Sequence, residues 1–323
     1  MLWKGKKTNF FFGRLSSLRH VTLRHTFTRM QISVLVFSFA AFFSLTMIRS
    51  STALSTALIT GSTDGIGLHT ARKLLESGHK VIVHGRNQQR VDAAVSDLSK
   101  YGEVSSYTAD LSSVSGCLSL ANAIKRDHST LEILINNAGV FSPTFTTTPS
   151  GLETTFAVNV LAPFIITREL LPLLLATSSS RIINVSSISQ NDGPSTIKVS
   201  TVLSSIFQDP STYDKYSSYG ISKRLIAMYS QTLSRRLSSM GVPHPTVMSC
   251  DPGTVNTKML SAGWGNCGID ISLANNEFML ATKEIKGDDH GKYWYGGRVH
   301  GDCVREEEGE ELWRLLEQLS TRE

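Results

Sequence analysis

The stretch Ala57-Leu58-Ile59-Thr60-Gly61-Ser62-Thr63-Asp64-Gly65-Ile66-Gly67 decides how this chain folds. Its first four residues are apolar or β-branched and read as a buried strand. The glycines after them allow a tight turn. From Ile66 to Ser77 the apolar residues Ile66, Ala71, Leu74 and Leu75 share one helical face, and Gly78 follows as a stop. A strand that turns through glycines straight into a helix presents free backbone N–H groups and the positive end of the helix dipole, a setting suited to a pyrophosphate. Many such turns bind nothing, so the reading depends on its surroundings.

Outward from that turn the pattern repeats. Short apolar runs stand at 57–60, 81–84, 131–136, 181–186 and 246–250, separated by helical stretches. Apolar strands alternating with helices predict an α/β fold: a Rossmann-type, doubly wound parallel sheet with helices on both faces. Residues 57–323 read as one domain without internal repeats. Gln190–Ser211, rich in Ser and Thr with Pro194 and Pro210, reads as an irregular insertion. Lys258–Leu280, carrying Met259, Leu260, Trp264, Ile269, Ile271 and Phe278, reads as an apolar flap over a substrate. Glu306–Glu311 lead into Leu312, Leu315, Leu316 and Leu319 at helical spacing, which predicts a terminal helix docked on the domain, with self-association the other use of that face.

The second strand ends His84-Gly85-Arg86-Asn87, about twenty residues beyond the glycines, where an NAD site offers Asp or Glu to the ribose hydroxyls. No acid stands there. The Arg86 guanidinium suits a 2′-phosphate, which a carboxylate would repel, so the expected cofactor is NADP(H).

With its preceding Thr60, the Gly61-x-x-x-Gly65-x-Gly67 spacing resembles the short-chain dehydrogenase/reductase family. Further landmarks match in order. Asp110-Leu111 resembles the adenine-contacting Asp after the third strand, and Asn136-Asn137-Ala138-Gly139 the turn after the fourth. Asn159 falls at the family's helix Asn, Ser186-Ser187 at the end of the fifth strand, and Tyr219-Gly220-Ile221-Ser222-Lys223 is its Tyr-x-x-x-Lys. Pro252-Gly253-Thr254-Val255-Asn256-Thr257 resembles the loop beside the nicotinamide. The likeness covers nearly all of 57–323 and within the family leans to retinol dehydrogenase-like reductases.

The resemblance implies Asn159, Ser187, Tyr219 and Lys223 as the catalytic set, with Ser186 the second candidate for the serine. It implies cofactor contacts from Gly61, Ser62, Thr63, Asp64, Gly65, Ile66, Gly67, Arg86, Asp110, Leu111, Asn137, Ala138, Gly139, Tyr219, Lys223, Pro252, Gly253, Thr254, Val255 and Thr257. Lys223 would hydrogen-bond the nicotinamide ribose, Asn159 would hold a water, and Ser187 would orient the substrate oxygen.

The chemistry can be argued from the residues. Reducing a carbonyl needs a hydride at carbon and a proton at oxygen. A free tyrosine, with pKa about 10, holds its proton too tightly near neutral pH, and a nearby cation favours phenolate. Lys223, four residues later on a helix, shares the face of Tyr219. The expected function is hydride transfer between NADP(H) and a lipophilic carbonyl or alcohol of retinoid, steroid or lipid type. Two other readings remain: a carbon–carbon double-bond reductase of the same fold, and a non-catalytic dinucleotide-binding regulatory or scaffold protein.

The net charge of +5 belongs to the leader. Residues 1–56 hold three Lys and five Arg with no acid, which leaves −3 for the rest of the chain. The basic balance therefore gives no argument for nucleic-acid binding. Ile32–Ile48 is an uncharged apolar run preceded by seven of those cations, so it reads as a signal, a membrane anchor or part of a plastid or mitochondrial targeting sequence. Whether it is cleaved or retained, and whether the chain starts at Met1 or Met30, stays open. Cys117, Cys250, Cys267 and Cys303 stand far apart and read as isolated thiols, and no histidine shows ligand spacing, so no metal is expected.

Overall fold

Eight strands share one sheet: β1 (Thr56–Ile59), β2 (Lys80–Gly85), β3 (Val104–Thr108), β4 (Ile133–Asn136), β5 (Arg181–Val185), β6 (Thr246–Cys250), β7 (Tyr293–Tyr295) and β8 (Arg298–His300). Their order is β3-β2-β1-β4-β5-β6-β7-β8, parallel except for the antiparallel pair β7–β8. The computed structural model describes residues 55–191, 198–205, 209–300 and 305–321. The apolar run 32–48 and Cys303 lie outside the described residues.

The inner strands β1, β2, β4, β5 and β6 read as mainly apolar runs because both faces of the sheet are covered there, whereas β3, Val-Ser-Ser-Tyr-Thr at the edge, is only half-buried. On one face Leu58, Ile82, Leu134, Ile182 and Val247 meet helices α3 (Val114–Asp127), α4 (Thr154–Leu175), α6 (Lys215–Ser239) and α9 (Glu306–Leu319). On the other, Ala57, Ile59, Val81, Val83, Ile183 and Met248 meet α1 (Gly65–Glu76), α2 (Gln88–Leu98) and a short helix, α8 (Asn276–Thr282). The remaining helices, α5 (Val199–Ser205) and α7 (Lys258–Trp264), lie in the connections after β5 and β6. Helix α4 is long and apolar enough to cross a membrane by composition, with mean hydropathy 1.6, but it is mostly buried in the core. Its apolar character is that of an element packed on several sides.

Three expectations need correction, and one element was not expected. The segment after β5 is not wholly irregular: α5 forms within it because Val199, Val202 and Leu203 bury one face in the core. The expected flap ends early. Only α7 and the loop after it stay outside; α8 packs with Phe278 and Leu280 against the sheet and α1, so those residues serve the core. The strand expected at 131–136 starts at Ile133, with Leu131 buried ahead of it. The pair β7–β8 was not foreseen. These strands are three residues long, too short for a periodic signal, and they are joined by Gly296 and Gly297 at φ 57° and 74°, the geometry of a tight hairpin turn. The terminal helix docks as expected: Leu312, Leu316 and Leu319 enter the core, and Trp313 stacks on Tyr229 with centroids 5.9 Å apart.

Candidate active site

Strand order reverses between β1 and β4, and a cleft of about 330 Å³ opens there at the carboxyl ends of the strands, where open α/β sheets bind ligands. Its floor is the glycine turn. Gly61 has φ +65°, and a Cβ there would lie 2.8 Å from the Ala138 Cα; a Cβ on Gly67 would lie 2.9 Å from the Gly61 carbonyl oxygen and collide with the Asn137 amide. The Asn137 amide donates to the carbonyl oxygens of Thr60 (2.7 Å) and Gly61 (3.1 Å), and the Ala138 N–H donates to the Thr60 hydroxyl (3.0 Å). The turns after β1 and β4 are thus tied together by the groups that bring them close.

Behind the turn stands His84. Its Nδ1 accepts from the Gly61 N–H at 3.1 Å and its Nε2 lies 3.1 Å from the Ala109 carbonyl, so the hydrogen belongs on Nε2. Burial pushes its pKa down to about 4, which keeps the imidazole neutral and able to accept.

At the cleft mouth Asp64 caps α1, accepting from the Gly65 N–H at 2.8 Å. The same carboxylate meets Lys258 at 2.6 Å and Arg90 at 2.8 Å; the Lys258 hydrogen bond, then the Gly65 N–H and the two cationic charges, hold it below the usual carboxylate range against some desolvation. Arg86 lines the same region of the cleft.

The other end of the cleft holds the Tyr-x-x-x-Lys pair. Tyr219, only 8% exposed, points its hydroxyl at the Met259 sulfur, 3.8 Å away, with the rings of Phe141 and Trp264 at 5.7 and 5.5 Å from its own. Burial raises its pKa; a hydrogen bond with Ser187 works the other way, and the Asp251 charge adds to the rise. Lys223 is 4% exposed. Its Nζ sits 5.6 Å from the Tyr219 ring centroid and donates to the Val185 carbonyl at 2.9 Å, while burial lowers its pKa to about 8.

Of the two serines, Ser186 is spent on the fold: its hydroxyl donates to the Lys223 backbone carbonyl at 2.6 Å. Asn159 lies in a π-helical turn of α4, Ala157–Leu161; its amide oxygen accepts from the Val140 N–H at 2.8 Å, and its amide nitrogen donates to the Val140 carbonyl and the Ser222 hydroxyl at 3.0 Å each.

Most of the residues expected to contact a cofactor line one cleft: Gly61, Thr63, Asp64, Gly65, Ile66, Gly67, Arg86, Asp110, Leu111, Asn137, Ala138, Gly139, Tyr219, Lys223, Pro252 and Thr257. Four do not. Ser62 is fully buried beneath the turn, donating to Ile59 at 2.8 Å and accepting from the His84 N–H at 3.0 Å. Gly253 N–H is held by Asp251 at 2.6 Å, Val255 is buried, and exposed Thr254 pairs its backbone with Ile269. Sequence reasoning gave no site role to His84, Arg90 or Lys258, which line the cleft together with Met259, a residue it had placed in the flap over the substrate. Arg90 stands one helical turn beyond Arg86, and Lys258 and Met259 directly follow Thr257, so the spacing of cations around the expected loops was the available signal.

Residues 55–200 match the model of the short chain dehydrogenase family. Human retinol dehydrogenase 13 is 34% identical over 283 residues, an alignment spanning 81% of this chain and 82% of that protein. The chain is a short-chain dehydrogenase/reductase. It belongs to the retinol dehydrogenase-like branch, and membership makes it an oxidoreductase whose fold uses a nicotinamide dinucleotide. Two other relatives of this short-chain dehydrogenase/reductase are mouse polyprenol dehydrogenase, 34% identical over 64% of this chain and 62% of that protein, and the chloroplastic short-chain dehydrogenase TIC 32 A of Brassica napus, 33% identical over 63% and 65%. Among solved structures, an uncharacterised Mycobacterium Paratuberculosis protein superposes with TM-score 0.68 at 25% identity, covering 84% of this chain and 96% of that one. The Pseudomonas aeruginosa RhlG/NADP complex gives 0.59 at 25%, covering 76% and 96%.

The residues fit the dinucleotide. Glycine at 61 and 67 lets the turns after β1 and β4 close on one another, the resulting turn lines the cleft, and the N-terminus of α1 adds its dipole for a pyrophosphate.

Proposed function

We propose that this chain is an NADP(H)-dependent enzyme interconverting a lipophilic carbonyl and its alcohol, with Tyr219 exchanging the proton. The observation that carries the reading is the meeting of Tyr219 and Lys223 at one end of a cleft whose other end holds Arg86 and Arg90, with Ser187 close enough to Tyr219 to favour its ionised form. The bound nicotinamide supplies or accepts the hydride.

The protein's own part is to place and move the proton. The Tyr219 hydroxyl, held in an apolar wall, donates to the substrate oxygen as charge develops there. Ser187 hydrogen-bonds the same oxygen and orients it. The Lys223 ammonium beneath the pair stabilises phenolate when Tyr219 has given up its proton, an effect that low local polarity strengthens. Water exclusion falls to Phe141, Trp264 and Met259, which surround the Tyr219 hydroxyl. Their surface favours an apolar substrate, as the names of the retinol and polyprenol dehydrogenase relatives also suggest. Preference for the 2′-phosphate follows from two arginines and no acid at the end of β2. A membrane or plastid location belongs to the same proposal, supported by the apolar run 32–48 and by the chloroplastic relative.

Fluorescence titration of the full chain with NADPH and NADH, followed by NADPH oxidation against retinoid, steroid and aliphatic carbonyls, tests the reading. Tighter NADPH binding and turnover on an apolar carbonyl are expected. Tight binding with no turnover on any carbonyl would shift the reading to a double-bond reductase or a non-catalytic binder, and failure to bind either nucleotide would end it.

A further inference from the structure

Helix α8 lies behind the active site, and its first turn carries an acid with no evident duty. Glu277 is 1% exposed, and neither of its carboxyl oxygens makes a well-formed hydrogen bond among the described residues, although the Thr70 hydroxyl stands near enough to favour its ionised form. An unpaired buried carboxyl is destabilising, and replacing it with an apolar or amide side chain would be expected to relieve that cost. Such a group calls for another explanation.

Its neighbours suggest one. The preceding residue, Asn276, donates its side-chain amide to the Asp251 backbone carbonyl at 2.8 Å, which pins the start of α8 to the loop leaving β6. Asp251 is 2% exposed and spends both carboxyl oxygens on backbone N–H groups, Gly253 at 2.6 Å on one side and Ile188 on the other, so it holds together the two loops that flank Ser187. Lys223 comes from α6, and its Nζ bonds a neutral carbonyl, Val185, with no direct ion pair. The acids whose charge would act on this buried ammonium without bonding it are Glu277 and Asp251, both of which burial makes harder to ionise.

We infer that Glu277 is a positioning residue for the Tyr219–Lys223 pair: a buried carboxylate whose charge, with that of Asp251, keeps Lys223 cationic inside the core. The inference rests on the proposed role of that pair.

Electrostatics agree in direction. Burial lowers Lys223 to about 8, and among the groups that oppose this Glu277 acts most strongly, ahead of Cys250 and Asp251. Burial raises Glu277 to about 7, with the Thr70 hydroxyl and Lys223 favouring its ionised form. The groups facing Glu277 are few. Helix α1 offers Thr70, with Lys73 reaching past to Asn275; β6 and its exit offer Cys250 and Asp251; α6 offers Lys223. From β5, Arg181 stands at the far end, committed to the carbonyls of Leu280 and Lys283. Glu277 thus gains charge as pH climbs past neutrality, where Lys223 would otherwise begin to lose its own.

The test uses the full chain, its Glu277→Gln variant, NADPH and retinaldehyde. Without the carboxylate the basic limb of kcat/KM moves to lower pH. If the shift is about one unit, the variant is about tenfold weaker than wild type near pH 9, yet within about twofold near pH 6.5, where Glu277 of the wild type is largely protonated and Lys223 is cationic in both. An unmoved limb with wild-type turnover intact overturns the inference and leaves the proposed function standing. Thr70→Val, which removes the hydroxyl favouring the ionised carboxyl, is expected to move the limb the same way by less, and serves if the Gln variant does not fold. A second measurement is independent of activity. A carboxyl whose pKa is raised by folding stabilises the fold least once it is ionised, so its penalty is absent below the unfolded carboxylate range and complete above about pH 7. Wild type should therefore lose more Tm than Glu277→Gln between pH 5 and pH 8.5. Equal losses overturn the inference even if retinaldehyde is not turned over, a result that would count separately against the proposed function.

Discussion

Tyr219 ends in a hydroxyl surrounded by a thioether and aromatic rings, a setting that holds its proton more tightly than water does. The sequence makes Tyr219 a candidate and shows that Lys223 shares its helical face. It does not show that the Lys223 ammonium spends its hydrogen bond on Val185, which makes its influence on Tyr219 one of field and not of contact. Nor could it separate Ser186 from Ser187, since the difference lies in which hydroxyl finds the α6 backbone. His84, which ligand spacing alone leaves without a role, is packed and holds the glycine turn. His84→Ala leaves the Gly61 N–H and the Ala109 carbonyl without that partner, for which the expected cost is about 1–3 kcal/mol of stability by urea denaturation, together with weaker dinucleotide binding.

At the scale of elements, what was legible followed periodicity. Strands β1, β2, β4, β5 and β6 and helix α1 announce themselves because burial on two faces or one leaves an apolar pattern, which the polar edge strand β3 lacks. Helix α8 and the hairpin β7–β8 did not, because seven residues and three residues carry too little pattern, and the apolar side chains of α8 look the same whether they cover a substrate or a sheet. Asp64 shows how one residue can serve two elements, capping α1 and drawing Lys258 of α7 and Arg90 of α2 to it. On the NADP(H) reading proposed above those cations would meet the 2′-phosphate, and Asp64 would compete with the cofactor for them. Asp64→Asn keeps a good cap and frees both, and the expected result is tighter NADPH binding with little change for NADH, read by fluorescence titration at low salt. The docking of α9 is a packing matter. Leu316→Ala, which empties a fully buried position between α9 and the core, should cost about 2–5 kcal/mol in chemical denaturation.

For the whole molecule, the sheet order places the glycine turn after β1, the turn after β4 and the serine-bearing end of β5 along one edge. Residues as far apart as Gly61 and Lys258 come to line one cleft for that reason. Landmarks in the right order were enough to foresee this convergence, because a parallel sheet with right-handed crossovers has few ways to arrange them. Side-chain direction was beyond reach: whether Ser62 faces the cleft or the floor beneath it is decided by bonds to Ile59 and His84.

The central claim is that Tyr219 exchanges the proton with a substrate bound beside a dinucleotide. Its most direct test is Tyr219→Phe in the full chain, comparing NADPH binding with the single-turnover rate of carbonyl reduction. The account predicts unchanged nucleotide affinity and a rate lower by about 10²–10⁴-fold at every pH. A variant that reduces the carbonyl at the wild-type rate would contradict it.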